Sequence, residues 1–186
     1  MADAASTEHP TQPETQRLFF ALWPDDATRD ALDRTSKWLH QHWGGRRMRA
    51  ETLHLTLAFL GATRMAQLPA LRAVLDGLDV PAFSLRLDQV GFWPGNRIAW
   101  LKPGVPPAGL ATLAGELRAG LQATGVSFDP RPFFPHVTLL RNSSGGMASA
   151  CQPVHWHVDR VALLESGSAG GRSGYAVCCE RGLPRA

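Results

Sequence analysis

The chain has 186 residues, 44% of them apolar and 19% charged, and a formal charge of +3. That is an ordinary globular composition, long enough for one well-cored domain or two small lobes sharing an interface. No run approaches the roughly 18 apolar residues of a membrane-spanning helix, and the first ten residues lack the basic and apolar regions of a secretory signal, so a cytoplasmic location is expected. The three cysteines, Cys151, Cys178 and Cys179, are odd in number, include two sequence neighbours and have no zinc spacing. They read as structural thiols. Of the 19 basic residues all but Lys37 and Lys102 are arginine, the better bidentate phosphate ligand; this permits a phosphate-bearing partner without requiring one.

Residues 1–16 are polar, contain Pro10 and Pro13, and predict a disordered tail. A short aromatic strand follows at 17–23. Pro24, Asp25 and Asp26 open a helix that carries Leu32 and Leu39 and ends at Gly44 and Gly45. From Leu53 the sequence alternates: Leu53, Leu55, Leu57 and Phe59 form one face of a strand, His54 and Thr56 the other, and Gly61 closes it. A second helix is expected over 64–78, a hairpin of strands over 83–90 and 97–101, and a third helix over 108–123 ending at Gly125. The proline-rich stretch 128–135 leads into a second copy of the pattern, His136, Val137, Thr138 and Leu139. Strands at 154–164 and 175–180 complete the chain, joined by a flexible glycine- and serine-rich stretch at 167–174.

The two His-x-Thr strands lie 82 residues apart, each with helical segments nearby in the chain. This predicts an α+β fold of two similar lobes that each offer one strand to a shared cleft. Two imidazoles and two hydroxyls would then surround a small volume. Imidazole titrates near neutral pH, so one ring can accept a proton while the other donates one, and the hydroxyls can bond phosphoryl oxygens. Those are the needs of a phosphodiester displacement: a base for the nucleophile, an acid for the leaving oxygen and donors for charge on phosphorus, with no metal or other cofactor. The chemistry alone does not say which histidine is the acid.

His54 to Leu57 and His136 to Leu139 resemble the paired motifs of the two-histidine (2H) phosphoesterase superfamily, and within it the bacterial and archaeal RNA 2′,3′-cyclic phosphodiesterases, also called 2′-5′ RNA ligases. The flanks agree, from Arg17 through Leu22, Leu53 through Gly61 and Arg131 through Arg141, so the resemblance covers about residues 17–181. It implies a single bilobal domain over 17–186, with two pseudo-symmetric antiparallel-sheet lobes, helices packed outside and the cleft between them. It also implies hydrolysis of RNA 2′,3′-cyclic phosphate ends to 2′-phosphomonoesters. His54 would be the proton donor to the departing 3′ oxygen and His136 the proton acceptor from water, while Thr56 and Thr138 hold phosphate oxygens. The expected partners are RNA ends or nucleotides bearing the cyclic phosphate, with no membrane and no obligate protein partner, the protein being a monomer. The other readings are 2′-5′ ligation in the same site and a non-catalytic nucleotide- or RNA-binding module.

Arg141 is a further candidate phosphate ligand. Its odd spacing from His136 puts it on the opposite face of a regular strand unless that strand ends or bulges. Arg46, Arg47 and Arg49 could meet an RNA backbone or simply form a solvated basic loop. Phe133 and Phe134 could stack a base, but they read first as core, as do Phe92, Trp93 and Trp100. His155 and His157 share a strand face without a third ligand, and the stretch 170–174 lacks the lysine of a phosphate loop.

Overall fold

The computed structural model describes residues 15–169 and 172–185. The expected tail therefore lies outside the described residues, except Thr15 and Gln16, which open the first strand. In chain order the elements are β1 (Thr15–Leu22), α1 (Asp26–Trp43), β2 (Arg46–Arg47), β3 (Leu55–Arg64), α2 (Leu68–Asp76), β4 (Phe83–Trp93), β5 (Ile98–Lys102), α3 (Ala108–Thr124), β6 (Val137–Arg141), β7 (Ser149–Val158), β8 (Arg160–Ala169) and β9 (Arg172–Gly182). Asp25 caps α1 by accepting the Thr28 N–H at 2.8 Å, and Gly125 ends α3 in the left-handed conformation. Among the described residues no helix is long and apolar enough to cross a membrane.

All pairings are antiparallel, and the sheet runs β7-β4-β5-β6-β3-β1-β8-β9, with β2 also on β6. It divides into two four-stranded halves, β3-β1-β8-β9 and β6-β5-β4-β7, that meet through one registered pair, Leu55 opposite Val137. The helices cover one face. There Leu18, Phe20, Leu55, Leu57, Val137 and Leu139 pack with Leu32 and Leu39 of α1, Leu71 of α2 and Leu117 of α3. Two of the three helices are exchanged between halves, whereas α2 stays on β8 and β9 of its own half. α1 follows β1 but lies on β6 and β7; α3 connects β5 to β6 but lies on β3 and α2. Proximity in sequence would leave α1 and α3 beside the strands they follow, whereas burial of their apolar stripes places them on the other half of the sheet.

The structure departs from expectation at several elements. Gly61 does not close β3; its φ of +71° sits at a bulge and the strand continues to Arg64, shortening α2 to nine residues. The strand expected over 154–164 is two strands meeting at Asp159. β7 buries alternate residues (Val154, Trp156, Val158), whereas β8, inside the sheet, buries Val161 through Leu164 consecutively. β7 begins at Ser149, before the expected start at 154, and so takes in Cys151. The flexible stretch expected over 167–174 is largely strand: Gly167, Ser168 and Ala169 pair with Gly174, Ser173 and Arg172, and residues 170 and 171 between them lie outside the described residues.

Candidate active site

The site lies on the sheet face opposite the helices, where β3 and β6 part. Leu55 opposite Val137 is the last contact between them, and continuing that register by one residue either way sets His54 across from Thr138 and Thr56 across from His136. The apolar residues of both motifs are buried against the helices, and the four polar side chains line one pocket of about 190 Å³. Beyond Leu55 the strands diverge, and the free edge of β6 pairs instead with β2.

Both imidazoles are fixed by the same device. His54 Nδ1 donates to the carbonyl of Thr52 and His136 Nδ1 to that of Phe134, each two residues earlier and each at 2.8 Å. A carbonyl only accepts, so Nδ1 carries the proton and Nε2 of each neutral ring presents a lone pair. For His54 that lone pair receives the Thr56 hydroxyl at 3.1 Å. Aromatic rings wall each histidine. Phe19, Trp23 and Tyr175 have centroids 5.0, 6.2 and 5.0 Å from that of His54; Trp93 and Phe134 lie 4.8 and 5.6 Å from His136. Trp93 and Phe134 thus border the site rather than the helix-side core, where Phe92 and Phe133 pack. Trp100 is buried behind them, and a side chain at Gly91, its cross-strand partner, would meet the indole at 2.2 Å.

Burial pushes the His54 imidazolium down to about 4. The Thr52 carbonyl resists that shift, while His136, Arg141 and Arg29 add to it. Burial also lowers His136, against the Phe134 carbonyl. Both rings are therefore neutral at pH 7, and an anion beside them would favour the protonated form.

Arg141 lines this pocket. β6 bulges at Leu139: Thr138 pairs with Trp100 and Leu140 with Ala99, leaving Leu139 the extra residue. The bulge buries Leu139 and Leu140 in succession and returns Arg141 to the face of Thr138. The carbonyl of Leu139 accepts the Met48 N–H at 2.8 Å and the buried Ser36 hydroxyl at 3.3 Å. β3 bulges identically at Leu57 against β1, which brings Phe59 to the pocket. Ser166 of β8 and Tyr175 of β9, register partners, complete the wall. Sequence reading missed Phe59, Ser166 and Tyr175. For Phe59 a signal existed, since it stands as far beyond His54 as Arg141 beyond His136.

The approach segments are braced. Arg29 donates to the carbonyls of Ala50 and Pro24, both at 3.0 Å, and its guanidinium lies over Trp23. Arg118 of α3 donates to the carbonyls of Pro130 and Arg131, both at 3.2 Å, holding the proline-rich lead into His136. His155 and His157 project from β7 opposite Arg86 and Ser84, away from the pocket. Among the described residues no three His, Cys, Asp or Glu side chains are grouped to hold a metal ion.

The family model described as the 2′-5′ RNA ligase superfamily matches residues 24–170. The RNA 2′,3′-cyclic phosphodiesterase of Escherichia coli strain K12 is 36% identical over 167 residues, 87% of this chain and 93% of that protein. The protein of the same name from Thermus thermophilus is 32% identical over 165 residues, 81% of each. Among solved structures, E. coli LigT in its apo form aligns with a TM-score of 0.79 at 34% identity over 93% of this chain and 100% of that one. The LigT complex with 3′-AMP gives 0.79 at 35%, covering 91% and 99%. With a match over most of its length, relatives above 30% identity and the same fold, this chain belongs to the 2′-5′ RNA ligase superfamily.

Proposed function

We propose that this protein hydrolyses RNA 2′,3′-cyclic phosphate ends to 2′-phosphomonoesters by acid/base chemistry of His54 and His136. The observation that carries the proposal is the pair of carbonyl-locked imidazoles whose Nε2 atoms share one pocket with two threonine hydroxyls and Arg141. The names of the E. coli and T. thermophilus relatives support the same substrate. The negative charge of the phosphodiester raises the imidazole pKa values and lets one ring hold a proton when substrate arrives. His136 Nε2 takes a proton from water as the water oxygen bonds to phosphorus. The bond from phosphorus to O3′ breaks, and His54 Nε2 delivers its proton to O3′, leaving the phosphate on O2′. Thr56, Thr138 and Arg141 donate to the non-bridging oxygens as charge builds. The direction of the proton, from His54 and to His136, follows the family resemblance; the pocket itself is close to symmetric.

A 5′-hydroxyl in place of water would perform the same displacement and form a 2′-5′ linkage, the reaction in the superfamily's description. The test is incubation with a nucleoside 2′,3′-cyclic phosphate, with and without EDTA, followed by product identification. A 2′-phosphate formed equally in both supports the mechanism. Loss of activity in EDTA contradicts it, a 3′-phosphate reverses the bond that breaks, and tight binding without product makes the site a binding module.

A further inference from the structure

Beside the two-histidine pocket runs a groove of about 540 Å³ that shares Met48, Thr52, Arg141 and Tyr175 with it. The pocket alone is smaller than the roughly 300–1,000 Å³ that ligand-sized sites occupy, so a substrate seated there extends into the groove. Arg46 lines the groove and is the register partner of Arg141. Like charges directly opposite one another on antiparallel strands are destabilising, and among the described residues neither guanidinium has a carboxylate partner. The other cations nearby are accounted for. Arg47, next along β2, turns to the far face and pairs with Asp33 of α1, and Arg49 pairs with Glu51 at 3.4 Å, which makes that part of the groove nearly neutral.

A cyclic 2′,3′-phosphate is by its chemistry the 3′ end of a strand, so any further nucleotide is joined through the 5′ oxygen of the terminal ribose. We propose that Arg46, in the groove that opens past Arg141, binds the phosphodiester on the 5′ side of the terminal nucleotide while Arg141 faces the cyclic phosphate. The protein then prefers an oligoribonucleotide end to a cyclic mononucleotide. The Arg46 guanidinium gives bidentate donors to that phosphodiester, and an anion on each of the two facing arginines relieves their mutual repulsion. The proposal rests on the hydrolytic reading above and names the substrate class of that site.

The test compares a cyclic mononucleotide with a trinucleotide ending in the same nucleoside 2′,3′-cyclic phosphate, on the wild-type chain and on Arg46→Ala. Dissociation constants of the two corresponding 2′-phosphate products are measured alongside. The expected result is a kcat/KM at least about tenfold higher for the trinucleotide. Arg46→Ala should remove most of that advantage, shift the mononucleotide by less than about twofold, and flatten the trinucleotide's log–log salt dependence by close to one ion. Equal efficiency on both substrates, or an equal loss on both in Arg46→Ala, overturns the groove and leaves the hydrolase. Absence of turnover together with an Arg46-dependent trinucleotide affinity overturns the hydrolase and keeps the groove.

Discussion

Phe59 and Arg141 occupy one position in two copies of the same local structure. Each follows its motif histidine at the same distance, each is turned into the pocket by a bulge after the motif threonine, and each stands at its rim. The copies differ in charge, so a pocket with a near two-fold backbone has one apolar and one cationic side. The cationic side is where an anion gains most. Arg141→Ala is expected to weaken competitive inhibition by inorganic phosphate about 10- to 100-fold, the range of a lost charge-assisted hydrogen bond, with partial recovery in Arg141→Lys. Phe59→Ala should leave phosphate inhibition nearly unchanged. Inhibition constants from steady-state rates decide it, and equal losses in both variants would remove the distinction between the two sides.

The orientation of Arg141 depends on the bulge at Leu139, whose carbonyl is held from α1 by Ser36. Ser36→Val removes that donor and leaves a buried carbonyl with one bond. Because the Met48 N–H still satisfies that carbonyl, the loss should be that of one net hydrogen bond, about 0.5–1.5 kcal/mol in urea-unfolding free energy. Phosphate inhibition should weaken in the same variant even though Ser36 lies outside the pocket. Unchanged inhibition in a folded Ser36→Val protein would show that the bulge does not need this anchor.

The depressed pKa of His54 makes stability pH-dependent with a definite sign. Below about 6.5 the unfolded imidazole takes up a proton that the buried ring refuses until about pH 4, so stability is complete above 6.5 and is lost as pH falls through that window. His54 alone accounts for a loss of order 3 kcal/mol. Urea titrations between pH 7 and 4 should show a slope that flattens in His54→Gln, and an identical slope in the variant would place the titration elsewhere.

Catalysis draws on the same two rings. His54→Ala and His136→Ala should each lower kcat by at least about 100-fold, the scale of one general acid or base, with the near-ultraviolet circular dichroism retained. The wild-type kcat/KM profile should be a bell lying on the acid side of 6.5, because both free-enzyme imidazoles are lowered; its limbs belong to the pair rather than to either ring. The kcat profile should move to higher pH, since the bound phosphodiester stabilises an imidazolium. Undiminished turnover in either alanine variant would remove that histidine from the mechanism.

The faces of β3 and β6 were legible from period-two alternation because each strand buries one side. Alternation also assumes an unbroken pleat, and there it failed. Leu139 and Leu57 each add a residue, so a regular pleat puts Arg141 on the far face, the bulge being the exception that makes it a candidate ligand, and puts Phe59 in the core. The junction at Asp159 escapes a single-strand reading of Val154 through Leu164, although alternating apolar residues up to Val158 give way, after Asp159 and Arg160, to the continuous apolar run Val161–Leu164, the passage from an edge strand to an interior one. Ser166 and Tyr175 carry no motif. They reach His54 only because β8 and β9 add to the outer side of β1, a pairing set by tertiary topology rather than by neighbouring residues.

The crossing of α1 onto β6 and β7, matched by α3 lying on β3, ties the two look-alike halves into one folding unit. A cut near residue 80 would leave an N-terminal fragment whose α1 stripe, with Leu32 and Leu39, has no sheet beneath it. The C-terminal fragment would keep β8 and β9 without the β1 strand that joins them to β3. Each fragment exposes the surface the other was built to cover, so they should recover structure only when mixed. The pocket lies where this interdependence is greatest, and neither histidine is expected to hold its geometry without the other half of the chain.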